Sequence, residues 1–257
     1  MKIVFLGSCQ LEKIGMLMNE LIKNKQLDHQ VLWWQPVHSA SQSVHFPLFN
    51  ALHNADVIYA QYYDEHWGMF SSKRLKKYFD KIKFVPMLES AVSSPQLGYW
   101  SKGTPPFGGY IDFRMLHLYC KNIPVPYAVS MYSQIKPNMK AVQAKIDESV
   151  LKYKKYYDKG WVCFDYSERY RAATADNIEC FITLNHPKNN ELIWLMNCIL
   201  SDLRIGTISI QCHELLLTDQ VPSLYREQNR TEQNKTLYHT RTALYSRMCR
   251  KTVLFLF

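Results

Sequence analysis

The sequence predicts an α/β protein with a mainly parallel sheet flanked by helices. Three observations predict it. A five-residue apolar run, Lys2 to Leu6, is followed at once by apolar residues at helical spacing. Further short apolar runs alternate with helical stretches, the order that builds a parallel sheet with helices on its faces. The chain has 257 residues, 47% of them hydrophobic and 21% charged, which suits one large globular domain.

Each element follows from its local pattern. Gly7 breaks the first strand, and Leu11, Ile14, Leu17, Met18, Leu21 and Ile22 recur at helical spacing to about Lys25. Val31 to Trp34 reads as a second strand and Asp56 to Ala60 as a third, ending at Gln61, with a loop between them. Ser71 or Ser72 caps a helix through Leu75 to Phe79, and Lys81 to Pro86 is a fourth strand. Residues 87–138 hold Pro95, Gly98, Gly103, Pro105, Pro106, Gly108 and Gly109 among others, so they read as a loop-rich lid or substrate-binding insertion with short helices. Helices follow over Ala141 to Tyr157 and Tyr166 to Ala173. Glu179 to Thr183 reads as a strand leading into a helix that has Pro187 in its first turn and stops at Gly206. A single domain, 1–257, then ends in a C-terminal basic extension, 207–257, with a strand at Thr207 to Ile210 and a basic helix from Thr236 to Arg250.

Composition excludes several classes. Seven cysteines, an odd number with no Cys-x-x-Cys pair, argue against a disulfide framework and a structural zinc site, so no metal is expected. Cys163, Cys180 and Cys198 sit in apolar runs and read as core. No stretch approaches the roughly 18 apolar residues of a membrane span, and the apolar start is too short for a signal peptide, so the expectation is a cytoplasmic protein. The net charge is +9, and residues 226–251 carry seven Lys or Arg against two Glu. That excess favours phosphate-bearing partners or peripheral association with an anionic membrane surface. No nucleic-acid motif is present and no nucleic-acid partner is expected, which leaves a non-enzymatic basic binding module as the last-ranked function. Neither G-x-G-x-x-G nor G-x-x-x-x-G-K-[ST] occurs.

Two strand-to-helix junctions carry the chemistry: Gly7-Ser-Cys-Gln10 and Thr183-Leu-Asn-His-Pro187. Ligands of open α/β sheets bind just beyond the carboxyl ends of strands. A helix N-terminus there lowers a thiol pKa, so Cys9 is expected to be partly thiolate, and it keeps an imidazole neutral, so His186 is expected to serve as base. A thiol with a neighbouring base is the pairing for nucleophilic acyl transfer. The backbone N–H of Cys9 or Gln10 is the natural first oxyanion donor, and the Gln61 side chain the second. Each residue also has a plain structural reading: Cys9 as packing, His186 as a cap, Gln61 as a polar strand end.

Gly7-Ser-Cys-Gln10 resembles the Gly-Asn-Cys-Gln opening of the WcbI-type polysaccharide biosynthesis family. Ala55-Asp-Val-Ile-Tyr-Ala-Gln61, Leu97-Gly-Tyr-Trp100 and Cys180-Phe-Ile-Thr-Leu-Asn-His-Pro187 resemble that family's later segments, in the same order. The resemblance implies a CoA-dependent acyltransferase that moves an acetyl group from acetyl-CoA to a sugar hydroxyl of a capsular or surface polysaccharide precursor. It also implies a distant likeness to SGNH-type esterases, an SGNH- or flavodoxin-like core, and an ester or thioester hydrolase as the alternative activity. Carried over, Cys9 is the nucleophile or a site-lining thiol and His186 the base. Gly7, Ser8, Gln10, Tyr99, Trp100 and Lys188 are the candidate coenzyme A contacts. Lys102, Arg114 and the Arg241–Lys251 stretch are further sources of positive charge for its phosphates, and Tyr110 a further ring to stack. Ser8 stands where the family has Asn. Thr183 stands where SGNH enzymes carry an Asp, so the group that orients His186 is expected elsewhere, at Asp64, Glu65 or Glu89.

Overall fold

A computed structural model describes residues 1–37, 45–99, 110–132, 134 and 138–207. The apolar start is β1 (Lys2–Leu6), and it lies at the centre of a four-stranded sheet ordered β2-β1-β3-β4, with β2 at Gln30–Trp33, β3 at Val57–Gln61 and β4 at Ile82–Val85. All three pairings are parallel. Side chains alternate across a strand. Ile3 and Phe5 therefore enter one core with α1 (Cys9–Asn24), α6 (Met139–Asp158), α7 (Ser167–Asp176) and α8 (Asn189–Asp202). Val4 and Leu6 enter a second core with α2 (His45–Asn54) and α3 (Ser72–Tyr78). Covering both faces is what makes a parallel strand read as an unbroken apolar run.

α1 begins where it does because Ser8 caps it, its Oγ accepting the Gln10 N–H at 3.3 Å. Its inward face buries Leu11, Ile14, Leu17, Met18 and Ile22, each side chain stabilising the fold by about 1.5–3 kcal/mol. Gly15 sets how closely this helix lies on the sheet: a Cβ there would stand 2.3 Å from Trp34 Cβ.

The structure departs from the sequence reading in three places. The segment before β3 is not all loop but contains α2, whose Leu48, Ala51 and Leu52 are buried at helical spacing; Pro47 is tolerated because it lies in the first turn. The strand near residue 180 is β7 (Phe181–Thr183), and it lies outside the parallel sheet, pairing antiparallel with β8 (His186–Pro187). Pro187 is thus a strand residue, and α8 starts after it with Lys188 as the cap position. Finally, α8 stops at Asp202, where Arg204 takes the left-handed turn at φ 59 ahead of Gly206.

Within residues 87–138, Leu88, Ser90, Val92 and Ser94 are buried. They anchor the β7–β8 hairpin: Ser90 N–H donates to the Leu184 carbonyl at 2.7 Å and Phe181 N–H to Ser93 Oγ at 3.2 Å. Beyond them come an antiparallel pair, β5 (Leu97–Tyr99) and β6 (Tyr110–Asp112), then α4 (Phe113–Cys120) and α5 (Val125–Tyr132), which share a small cluster around Leu118 and Ala128. Trp100, Lys102, the 208–257 extension with its expected strand and helix, and the Arg241–Lys251 stretch lie outside the described residues. Among the described residues no helix is long and apolar enough to cross a membrane.

Candidate active site

The turn after β1 is built around two buried glutamines. β1 and β3 run side by side with Leu6 opposite Ala60, so Gln61 arrives beside Gly7. A Cβ on Gly7 would stand 2.6 Å from Gln61 Oε1, and this close approach is why residue 7 is glycine. Gln61 Oε1 accepts the Ser8 N–H at 2.6 Å and the Tyr63 hydroxyl at 3.0 Å. Gln61 Nε2 donates to Gln10 Oε1 at 2.8 Å, which also accepts the Leu88 N–H at 3.1 Å. Gln10 Nε2 then donates to the carbonyls of Leu88 at 2.6 Å and Asn185 at 2.7 Å. Both glutamines are 0% exposed.

Gln10 follows Cys9, and Asn185 precedes His186. The Gln10–Asn185 bond therefore brings the two junctions to one end of the fold, although the second is a hairpin and not the end of a parallel strand. The same network shows where three of the candidates stand. Gln61 sits behind the turn with its amide engaged by Gln10, and it braces residue 8. The Gln10 side chain is buried, its amide bonded to Leu88, Asn185 and Gln61. Gly7 serves the approach of Gln61.

His186 is half-buried, and its Nδ1 lies 2.5 Å from Thr183 Oγ1. Thr183, at the position where SGNH enzymes carry an Asp, is thus a hydrogen-bond partner of His186. The acidic candidates are engaged elsewhere: Asp64 Oδ1 accepts the His66 N–H at 3.0 Å, Glu65 pairs with Lys73 at 2.8 Å, and Glu89 pairs with Lys152. Which His186 nitrogen holds the proton decides its chemistry: with Nδ1–H donating to Thr183, the lone pair lies on Nε2.

Cys9 is half-buried. Burial pushes its thiol above the ordinary value, the Ser8 hydroxyl pulls it down, the Glu12 carboxylate pushes it up, and the backbone N–H groups of Cys9 and Gln10 pull it down. The helix start acts through those N–H groups, but burial outweighs them, so the expected thiolate gives way to a thiol that ionises late. Tyr63, which the sequence reading passed over, is buried against the same turn, within reach of the Ser8 hydroxyl and the Cys9 charge. Its position two residues past a strand-ending Gln was the signal.

The remaining candidates are scattered. Lys188 is half-buried at the start of α8, its N–H donating to the Cys180 carbonyl at 3.0 Å. Tyr99 and Tyr110 face each other as backbone partners in β5 and β6. Arg114 is drawn into a local group, with Nη2 donating to Tyr132 Oη at 2.7 Å and its guanidinium stacked 4.1 Å from that ring. Of the three cysteines read as core, Cys180 is buried and Cys198 half-buried, but Cys163 is exposed, because it lies in the turn after α6. Among the described residues no group of three His, Cys, Asp or Glu is arranged to hold a metal.

Comparison with curated proteins yields no match. One solved structure is similar in fold, with a TM-score of 0.64 at 17% identity over 78% of this chain and 68% of its own. That protein is described as native WcbI, a novel polysaccharide biosynthesis enzyme, without a disulfide bond between coenzyme A and a cysteine. The family of the polysaccharide biosynthesis enzyme WcbI matches residues 2–207, which span the sheet, both junctions and α8, and the chain belongs to that family.

Proposed function

We infer that this protein transfers an acetyl group from acetyl-CoA to a hydroxyl of a sugar in surface polysaccharide assembly. One observation carries the reading: the 2.7 Å bond from Gln10 to the Asn185 carbonyl, which sets a half-exposed thiol and a half-exposed imidazole on adjoining segments at the carboxyl edge of the sheet. Family membership points to polysaccharide synthesis, and the structural relative is described with coenzyme A. Acetyl-CoA supplies an activated acyl group as a thioester. The donor set fits such a molecule: N–H groups at the start of α1 for a developing oxyanion, and the Lys188 ammonium for a phosphate.

In the covalent route Cys9 Sγ bonds to the acetyl carbon, its proton going to His186 Nε2 and returning to the departing thiol. His186 then takes the proton of a sugar hydroxyl as the acetyl group leaves Cys9 for that oxygen. A neutral threonine steadies an imidazolium less than a carboxylate does. His186 therefore works best where it holds a proton briefly, between a thiol and an alcohol.

Incubation with acetyl-CoA followed by intact-mass measurement tests the reading. The expected result is one acetyl group per chain, absent in Cys9→Ala and discharged by a sugar acceptor. Full transferase activity in Cys9→Ala overturns the nucleophile. Steady release of free CoA with no acceptor present makes the protein a thioesterase instead.

A further inference from the structure

We propose that the buried hydroxyl of Tyr63 is a positioning group for the reaction, one that holds the Ser8 hydroxyl proton away from Cys9 until the thiol gives up its own proton. The proposal rests on the acyl-transfer reading only for naming Cys9 the nucleophile. Tyr63 is held in place from backbone to hydroxyl. Its N–H donates to Ser72 Oγ at 2.8 Å, and its carbonyl accepts the Ser72 N–H at 3.0 Å. Its ring is stacked on Trp67, centroids 4.3 Å apart, and the residue is 4% exposed. Its hydroxyl donates to Gln61 Oε1 at 3.0 Å, the same oxygen that takes the Ser8 N–H at 2.6 Å.

This sharing decides which way the protons point. A carbonyl oxygen has two lone pairs, and on Gln61 Oε1 the Ser8 N–H and the Tyr63 O–H fill both. The Tyr63 proton is committed there, so its oxygen is left to accept. Ser8 Oγ accepts the Gln10 N–H at 3.3 Å as the cap of α1, and its own proton rotates to suit its neighbours. Among the described residues two acceptors compete for that proton, Tyr63 Oη and Cys9 Sγ, each within reach of the Ser8 hydroxyl. A neutral thiol is a weak acceptor, so in the resting protein the proton belongs to Tyr63. A thiolate is a charged acceptor, and hydrogen bonds to charged groups are about twice as strong as neutral ones. When His186 takes the Cys9 proton, the Ser8 hydroxyl therefore turns to the sulfur. Ionisation of Cys9 then includes the loss of the Ser8–Tyr63 contact, which opposes it. The other titratable groups about the thiol are Glu12 on its own helix and His186 on the adjoining hairpin.

Alkylation of the full-length protein by iodoacetamide, read on the peptide that carries Cys9 across a pH series, tests this without acetyl-CoA or sugar. Tyr63→Phe keeps the ring and its stack on Trp67, and Gln61 Oε1 keeps the Ser8 N–H. The expected result is a lower inflection and a neutral-pH rate about tenfold faster, the order of one hydrogen bond to a charged group, with the high-pH plateau unchanged. In a Ser8→Ala background there is no hydroxyl proton to hold, so Tyr63→Phe should leave both inflection and plateau in place. A faster plateau at an unmoved inflection would mean that the Tyr63 hydroxyl only limits access to the thiol. A shift of equal size in the Ser8→Ala background would place its effect outside the Ser8 proton. Either result overturns the proposal, as does an inflection that rises or stays put in Tyr63→Phe alone. Acetylation of Cys9 is read separately, by intact mass: a Tyr63→Phe response without an acetyl adduct keeps this proton arrangement and removes the chemistry assigned to Cys9.

Discussion

At the scale of single residues, the Cys9 thiol decides how the site behaves with pH. Its position on the first turn is plain in the sequence, because an apolar run, a glycine and a helical period leave no other place for it. Its ionisation was not, because burial is set by how the whole fold closes around the turn, and it pushes the thiol up more than the helix start pulls it down. The thiolate is the nucleophile, so raising the pKa lowers reactivity at neutral pH. Alkylation of Cys9 by iodoacetamide, followed by mass across a pH series, should rise with pH and inflect above 9.0, the ordinary thiol value. Glu12→Gln removes a charge that opposes the thiolate, so the inflection should fall and the neutral-pH rate should rise. Ser8→Ala removes a favourable hydrogen bond and should move the inflection the other way. An inflection below 9.0, or no response to Glu12→Gln, contradicts this electrostatic account.

At the scale of elements, the parallel βαβ units were legible because each carries a clear period: β1, α1, β3 and β4 stand within a residue or two of their expected bounds. What was not legible lies where periods are short or interrupted. β7 has three residues, too few to show whether its partner runs parallel or antiparallel. The α2 period of Leu48, Ala51 and Leu52 was obscured by Pro47 and its polar surroundings. The same limit hid the joint between the two junctions, since nothing local to Gln10 reveals that its amide reaches Leu88 and Asn185. That joint is testable. Gln10→Leu would take the hydrogen bond from the Asn185 carbonyl and strand the Leu88 carbonyl, the Leu88 N–H and one donor of Gln61. Buried groups left without partners cost about 1–3 kcal/mol each, and local relaxation recovers part, so urea unfolding should show a loss of about 3–5 kcal/mol. A loss under about 1 kcal/mol, within the range of an ordinary surface change, would mean that the hairpin is held by other bonds.

At the scale of the whole molecule, α8 is a strap across one core of the fold, and its two ends are tied by charge. Near its start Glu191 is 1% exposed, with Arg169 Nη2 2.6 Å from Oε1 and the Tyr166 hydroxyl donating to Oε2 at 2.7 Å. At its end Asp202 takes the Lys83 ammonium at 2.6 Å and the Tyr59 hydroxyl, fastening the helix to β4 and β3. Burial works to raise the Asp202 pKa, but the Lys83 and Tyr59 contacts outweigh it and hold the carboxyl below its ordinary value of 3.8. A carboxyl that is more acidic in the folded chain stabilises it at every pH above the unfolded value, and loses that contribution as pH falls through the folded one. Asp202→Asn should therefore be less stable than the parent at neutral pH by on the order of 1 kcal/mol, the worth of a partly exposed ion pair. The two proteins should converge in thermal unfolding as the pH is lowered past 3.8. A gap that stays constant down to the acid limit would assign the loss in Asp202→Asn to packing, and that end of the strap would then be held by the apolar face of α8, with the Glu191–Arg169 pair still fastening its start.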